Sequence, residues 1–149
     1  MQKCLPINFV TPKKFLLNGL LFGEQKSKTV FIFIHGLCGT IFSQINLVSE
    51  LAKVGGAALT FNNRGSGIIS KVKQLDIKNK KGYLSHIIGG AHENFTDCVD
   101  DIQGAIGFCV SKGFKKIFLV GHSTGCQKIV YYLSRIKNKN ILGAVLLAP

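Results

Sequence analysis

The chain has few acidic residues and even fewer arginines. Seven Asp and Glu stand against 19 Lys and Arg, a formal net charge of +12, yet only Arg64 and Arg135 are arginines. Such a charge raises nucleic acid or an anionic membrane as a partner, but planar phosphate recognition favours arginine and basic residues are not interleaved with aromatics, so nucleic acid is not expected. The charge reads instead as a lysine-rich solvated surface. No apolar run approaches the roughly 20 residues of a membrane-spanning helix. The first residues, MQKCLP, lack the apolar core of a signal peptide. The cysteines, at 4, 38, 98, 109 and 126, are odd in number and form no C-x-x-C pair. Reduced, buried thiols in a cytoplasmic protein are the expectation. No G-x-x-x-x-G-K-[ST] occurs, and Gly65-Ser66-Gly67 lacks the rest of a dinucleotide fingerprint. His86 and His92 lie six apart without neighbouring ligands, so no metal and no cofactor is expected.

What is present centres on residues 115–125, KKIFLVGHSTG. Ile117 to Val120 reads as a short buried strand. Gly121-His122-Ser123-Thr124-Gly125 interrupts it, and Cys126, Ile129, Val130, Leu133 and Ile136 resume at helical spacing. Strand, G-x-S-x-G and helix form the context of a nucleophile elbow. The glycines let strand and helix crowd together behind a serine in strained backbone geometry. Ser123 then projects its hydroxyl at a helix N-terminus, where free N–H groups favour an anion. Ser123 is the candidate nucleophile.

At 149 residues the chain is one domain's worth, with 46% hydrophobic residues and enough length for a substantial core. Residues 1–14 read as irregular, with Pro6 and Pro12 disfavouring a helix. FLLNGLLF (15–22) fits either a tight hairpin turn at Asn18-Gly19 or one bulged strand. Residues 24–29 read as a polar turn. VFIFI (30–34) has the composition of a strand buried on both faces of a parallel sheet. A helix is expected over 41–54, with Thr40 or Ser43 placed to cap it and Gly55-Gly56 ending it. A strand at 57–61 follows, then NNRGSG (62–67).

Residues 68–92 show no clear period. They carry five lysines and one aspartate between Lys71 and Lys81, and the whole stretch 65–93 reads as a basic, lid-like surface excursion. Asn94 is the expected N-cap of a helix bearing Phe95, Cys98, Val99, Ile102, Ile106, Cys109 and Val110. A last buried strand is expected at 141–148. Strands alternating with helices predict an α/β architecture: helices on both faces of a mostly parallel sheet, a three-layer αβα sandwich. HGLCGT, NNRGSG and GHSTGC would then gather at the carboxyl edge of that sheet, where such folds bind ligands.

These residues resemble the α/β-hydrolase superfamily. His35-Gly36 ends a buried strand, Asn63-x-Gly65-x-Gly67 follows the next, and Gly121-x-Ser123-x-Gly125 the third, in the family's order. FTDCVDDIQGAI (95–106) and GHSTGCQKIVYYL (121–133) are similar to a poorly characterised branch of serine hydrolases, often classed only as a domain of unknown function. The resemblance covers roughly 28–149. It implies attack by Ser123 on the carbonyl of a small acyl substrate, with esters the expected class. It also implies an oxyanion held by the backbone N–H groups of Leu37 and Thr124. His35, Gly36, Gly121, His122 and Gly125 would be the scaffold of this site, and Leu37, Ile41 and Phe42 hint at an apolar acyl pocket but fit a core equally well.

The family places its acid and histidine after the nucleophile, whereas Asp, Glu and His are absent from 124–149. The chain therefore looks like the N-terminal portion of such a hydrolase, truncated after the strand that follows the nucleophile helix. The alternative is a catalytically incomplete, vestigial binding protein. None of His35, His86, His92 or His122 is well placed as the base. Asp97, Asp100 and Asp101 are expected to cap and solvate a helix, with Asp100 or Asp101 pairing Arg64. An exposed sheet edge at 141–148 would permit self-association.

Overall fold

The computed structural model describes residues 3–23 and 27–149. Residues 24–26 of the polar turn expected at 24–29 therefore lie outside the described residues, as do the first two residues, and Thr29 already belongs to a strand. Among the described residues eight strands form one mixed sheet: β1 (Cys4–Val10), β2 (Phe15–Gly23), β3 (Thr29–Ile34), β4 (Ala57–Phe61), β5 (Ser70–Leu75), β6 (Tyr83–Ile88), β7 (Lys116–His122) and β8 (Ile141–Leu147). Hydrogen bonding follows the path β6-β5-β2-β4-β3-β7-β8, with β1 on the other edge of β2. The β4-β3-β7-β8 part is parallel and the remainder antiparallel. Helix α1 (Ile45–Gly55) covers one face through Val48 and Ala52, packed on Phe22, Phe33 and Val120. Helices α2 (Cys98–Ser111) and α3 (Thr124–Arg135) cover the other. Three layers follow, as expected.

Several local expectations are corrected. Residues 1–14 are not irregular: β1 pairs β2 along its length, from Cys4 opposite Phe22 to Val10 opposite Leu16. A sheet-edge strand tolerates Pro6, whose missing N–H removes no ladder bond that the interior needs. The chain turns at Thr11–Lys14, with Lys14 at φ 68°, and not at Asn18-Gly19. Asn18 instead bonds across to Asn62, which donates through its backbone N–H (2.9 Å) and through Nδ2 (3.0 Å).

Helix α1 starts four residues later than its period suggests, because Gln44 sits at φ 59°. Neither Thr40 nor Ser43 caps it. Ser43 Oγ accepts from Thr40 N–H, holding the preceding turn. Asn94 does cap, accepting the N–H of Thr96 at the start of a 3₁₀ turn (Phe95–Asp97) that leads into α2. On α3 the buried stripe is Cys126, Lys128, Ile129 and Tyr132, while Val130 and Leu133 are exposed. The aperiodic 68–92 stretch contains the β5–β6 hairpin; β8, expected as a buried strand, has no buried residue, because it ends the sheet among the described residues and carries Leu142, Val145 and Leu146 at the surface.

Charge is buried between the layers. Arg64, in the loop after β4, donates Nε to Asp101 (2.7 Å) and Nη2 to Asp100 (2.9 Å) and to the Asp97 carbonyl (2.9 Å). Asp101 also accepts the Arg64 backbone N–H (2.8 Å), and the guanidinium lies 4.2 Å from the centre of the Phe15 ring. Asp100 and Asp101 pair with Arg64 as expected but are buried rather than solvated, because their partner enters from the loop, while Asp97 is half-buried. Removing a guanidinium that neutralises several buried carboxylates typically costs about 3–5 kcal/mol. Arg64→Ala is therefore expected to lower urea-unfolding stability by about that amount, with Asp101→Ala approaching it and exposed Lys→Ala changes near zero.

Candidate functional site

The strand order reverses at β3. From β3 the chain crosses by α1 to β4 on one side, and β7 pairs on the other. A parallel sheet opens a crevice at such a point, beyond the carboxyl ends of the two strands. The residues that occupy it are those following β3 (His35, Gly36, Leu37) and those following β7 (Ser123, Thr124).

Ser123 joins β7 to α3 at φ 54°, ψ −130°, a conformation costing a non-glycine residue about 1–3 kcal/mol. Its neighbours hold it there. Its N–H donates to Leu147 O on β8 (3.0 Å), and its carbonyl accepts from Cys126 N–H (2.8 Å). Gly125 lies so close to β3 that a Cβ would overlap the Ile34 carbonyl oxygen, and one on Gly121 would meet Gly125 itself. Gly36 closes the other side, where a Cβ would stand 3.0 Å from Ser123 Cβ and 3.4 Å from Oγ. The serine and the His35-Gly36 turn are therefore in direct contact. Thr124 is the first residue of α3, whose leading N–H groups have no intrahelical acceptor. No hydrogen bond among the described residues uses the N–H of Leu37 or of Thr124. Leu37 and Phe42 are exposed, at 55% and 66%, so they are not core, and Ile41 is half-buried.

His35 is buried and committed on both nitrogens. Asn63 N–H donates to Nε2 (3.3 Å), so Nδ1 carries the proton and donates to the Gly36 carbonyl (2.8 Å). Burial lowers its pKa from 6.5 to about 4; the Lys128 charge adds to this, while the Gly36 bond opposes it. His86 bonds Gln74 Oε1 (2.9 Å) and packs edge-on against Phe15. With His92, Arg64 and Asp97 it lines a cavity of about 130 Å³. His122 is half-buried. Among the described residues no histidine nitrogen hydrogen-bonds Ser123, and no cluster of His, Cys, Asp or Glu is arranged to hold a metal.

The loop after β4 braces the site. Ser66 Oγ and Gly67 N–H both donate to the Gly39 carbonyl (2.9 and 3.1 Å), and Asn62 Oδ1 accepts Ile41 N–H (2.8 Å). Beneath it lies a second buried pair that sequence reasoning missed. Lys128 of α3, 1% exposed, binds Glu93 and reaches Asn63 Oδ1 (3.5 Å). In sequence Lys128 is one lysine of seventeen. Only its place beside Ile129, on the inward face of α3, marks it. Burial pushes Asp101 up to about 6 against the pull of Arg64. The thiols are free, with Cys98, Cys109 and Cys126 buried and Cys4 and Cys38 exposed.

These shifts set a pH signature. A native histidine held below its unfolded pKa stabilises the fold fully above pH 6.5 and loses that contribution as pH falls toward 4. The raised Asp101 acts oppositely, favouring the fold as pH falls below 6. Because Asp101 is common to both proteins, the stability difference between the parent and His35→Gln isolates the histidine. That difference is expected to shrink by about 3 kcal/mol between pH 7 and pH 4 in chemical denaturation.

Known proteins bear on this geometry. Residues 29–149 match the family described as alpha/beta hydrolase fold. Among solved structures, the esterase Pf2001 of Pyrococcus furiosus superposes with a TM-score of 0.70 at 19% identity, covering 96% of this chain and 50% of its own. The α/β hydrolase GrgF of Penicillium sp. sh18 gives 0.74 at 16%, covering 99% and 46%. A cold-adapted esterase from an Arctic intertidal metagenomic library gives 0.68 at 15%, covering 97% and 60%. The chain thus spans about half the length of these structures. No curated protein matches it. The family match extends from the first parallel strand through the elbow and β8, and the chain belongs to the α/β-hydrolase fold family.

Proposed function

We propose that this chain carries the nucleophile of a serine hydrolase acting on carboxylic esters or related acyl compounds. The observation that carries the reading is Ser123, strained at φ 54° between β7 and α3 and in contact with Gly36. Ser123 Oγ would attack the acyl carbonyl carbon and give up its proton to a base. The oxyanion would form between the N–H groups of Leu37 and Thr124, neither of which is spent elsewhere. Collapse would expel the alcohol, which takes the proton, and water would then release the acid from the acyl-serine. The exposed Leu37 and Phe42, with Ile41, would offer apolar surface to the acyl group. The 65–93 excursion would wall the site as a lid, since its Gly90 packs against Cys38 and Leu37.

The base is not proposed from His35, whose nitrogens are both engaged and which burial keeps neutral at neutral pH. Residues 124–149 offer no Asp, Glu or His. A second reading, a catalytically incomplete α/β-hydrolase-like binding protein, is favoured by one fact. No histidine nitrogen bonds Ser123 among the described residues. The proposed setting is the cytoplasm, in keeping with five free thiols.

A fluorophosphonate ester discriminates the two readings. Labelling of the parent and none of Ser123→Ala supports the hydrolase, whereas a folded parent that stays unlabelled supports the second reading. The exposed β8 edge is also proposed to self-associate. Val145→Lys is expected to shift sedimentation velocity toward monomer, and an unchanged profile would remove that proposal.

A further inference from the structure

Setting aside the buried pairs changes the charge balance of the surface. Arg64 and Lys128 engage Asp97, Asp100, Asp101 and Glu93. Seventeen Lys and Arg then face three carboxylates over the rest of the sequence. Five of these lysines (Lys71, Lys73, Lys78, Lys80 and Lys81) lie on the β5–β6 hairpin, and all are exposed. The one acid there, Asp76, turns Oδ1 to the Lys78 backbone N–H (2.9 Å). None of the five has a carboxylate partner among the described residues.

The same hairpin is apolar where it is charged. Ile77 at its tip is 93% exposed, and Leu75, Leu84 and Ile87 are exposed as well. Lys71 stands opposite Ile87, Lys73 opposite Ser85 and Leu75 opposite Tyr83, so lysines and apolar side chains share one outward face. The tip is ordered by bonds from Asp76 N–H to Gly82 O (3.0 Å), Gly82 N–H to Asn79 O (2.8 Å) and Lys81 N–H to Asn79 Oδ1 (2.9 Å). An isoleucine presented on a fixed turn among lysines suits a lipid–water boundary. The ammonium groups meet anionic headgroups and the branched side chain sinks below them. A polyanion in water would reward the lysines but not Ile77.

Placement gives the surface a direction. β4 and β5 occupy successive stretches of the same edge of β2, with Gly19 opposite Phe61 and Leu16 opposite Lys73. β5 therefore continues in the direction of β4, and the hairpin rises beyond the carboxyl edge that holds Ser123. The exposed Ile68, Ile69, Leu37 and Phe42 belong to that edge. We propose that the β5–β6 hairpin docks on anionic lipid surfaces and turns the carboxyl edge of the sheet toward the bilayer. Docking is independent of the chemistry at Ser123.

Co-sedimentation of the full chain with phosphatidylcholine vesicles, with and without phosphatidylserine, tests this. Binding is expected only with phosphatidylserine, and equally for Ser123→Ala. The combined Lys78→Ala, Lys80→Ala, Lys81→Ala variant is expected to partition about a hundredfold more weakly. Ile77→Ser is expected to lose about tenfold. Val54→Ser, 86% exposed near the end of α1, should bind as the parent does. These side chains are exposed, so melting temperatures should not move. The proposal is overturned by a parent that ignores phosphatidylserine vesicles, or by undiminished binding of Ile77→Ser. Tighter binding to duplex DNA that depends on the lysines and not on Ile77 would overturn it too.

Discussion

The structure depends on a guanidinium buried where the loop after β4 meets α2. Arg64 supplies its side chain and its backbone N–H to Asp97, Asp100 and Asp101, and so pins residues 62–67 in one arrangement. That loop in turn holds Gly39 and Ile41, which fix the turn at His35-Gly36. Lys128 and Glu93 add a second buried pair under Asn63, tying α3 to the same loop. Buried ion pairs gain little over well-packed apolar side chains, but they punish any arrangement that leaves a charge alone. Their effect here is positional, and it also strips the surface of more than half its carboxylates.

Close approach of backbone does the rest. Gly125 meets the end of β3, Gly36 meets Ser123, and the serine is left in a region of φ/ψ space that only surrounding structure can enforce. The parallel pairing of β3 with β7 sets both loops at one edge, and α3 begins there directly after Ser123.

The parallel part of the sheet was legible because β3, β4 and β7 are apolar on both faces and end at glycine-rich loops. The elbow was legible because strand, G-x-S-x-G and helix must occur together. β1 was not, since Pro6 argues against regular structure unless the strand is known to lie at an edge. Asn18-Gly19 carried a turn signal that pairing with β4 and Asn62 overrode. On α3 the composition favours Val130 and Leu133, yet those two are exposed while Lys128 and Tyr132 are buried, Lys128 because Glu93 and Asn63 receive it from outside the helix. A buried lysine cannot be told from a solvated one until its partner Glu93, thirty-five residues away, is in place.

We propose that Ser123 is held for acyl transfer. Incubation with p-nitrophenyl acetate followed by peptide mapping by mass spectrometry tests it on the chain itself. The expected result is an acetyl group on Ser123 that His35→Gln or Gly125→Ala diminishes. Acetylation spread over surface lysines, with Ser123 unmodified in a folded sample, would contradict it.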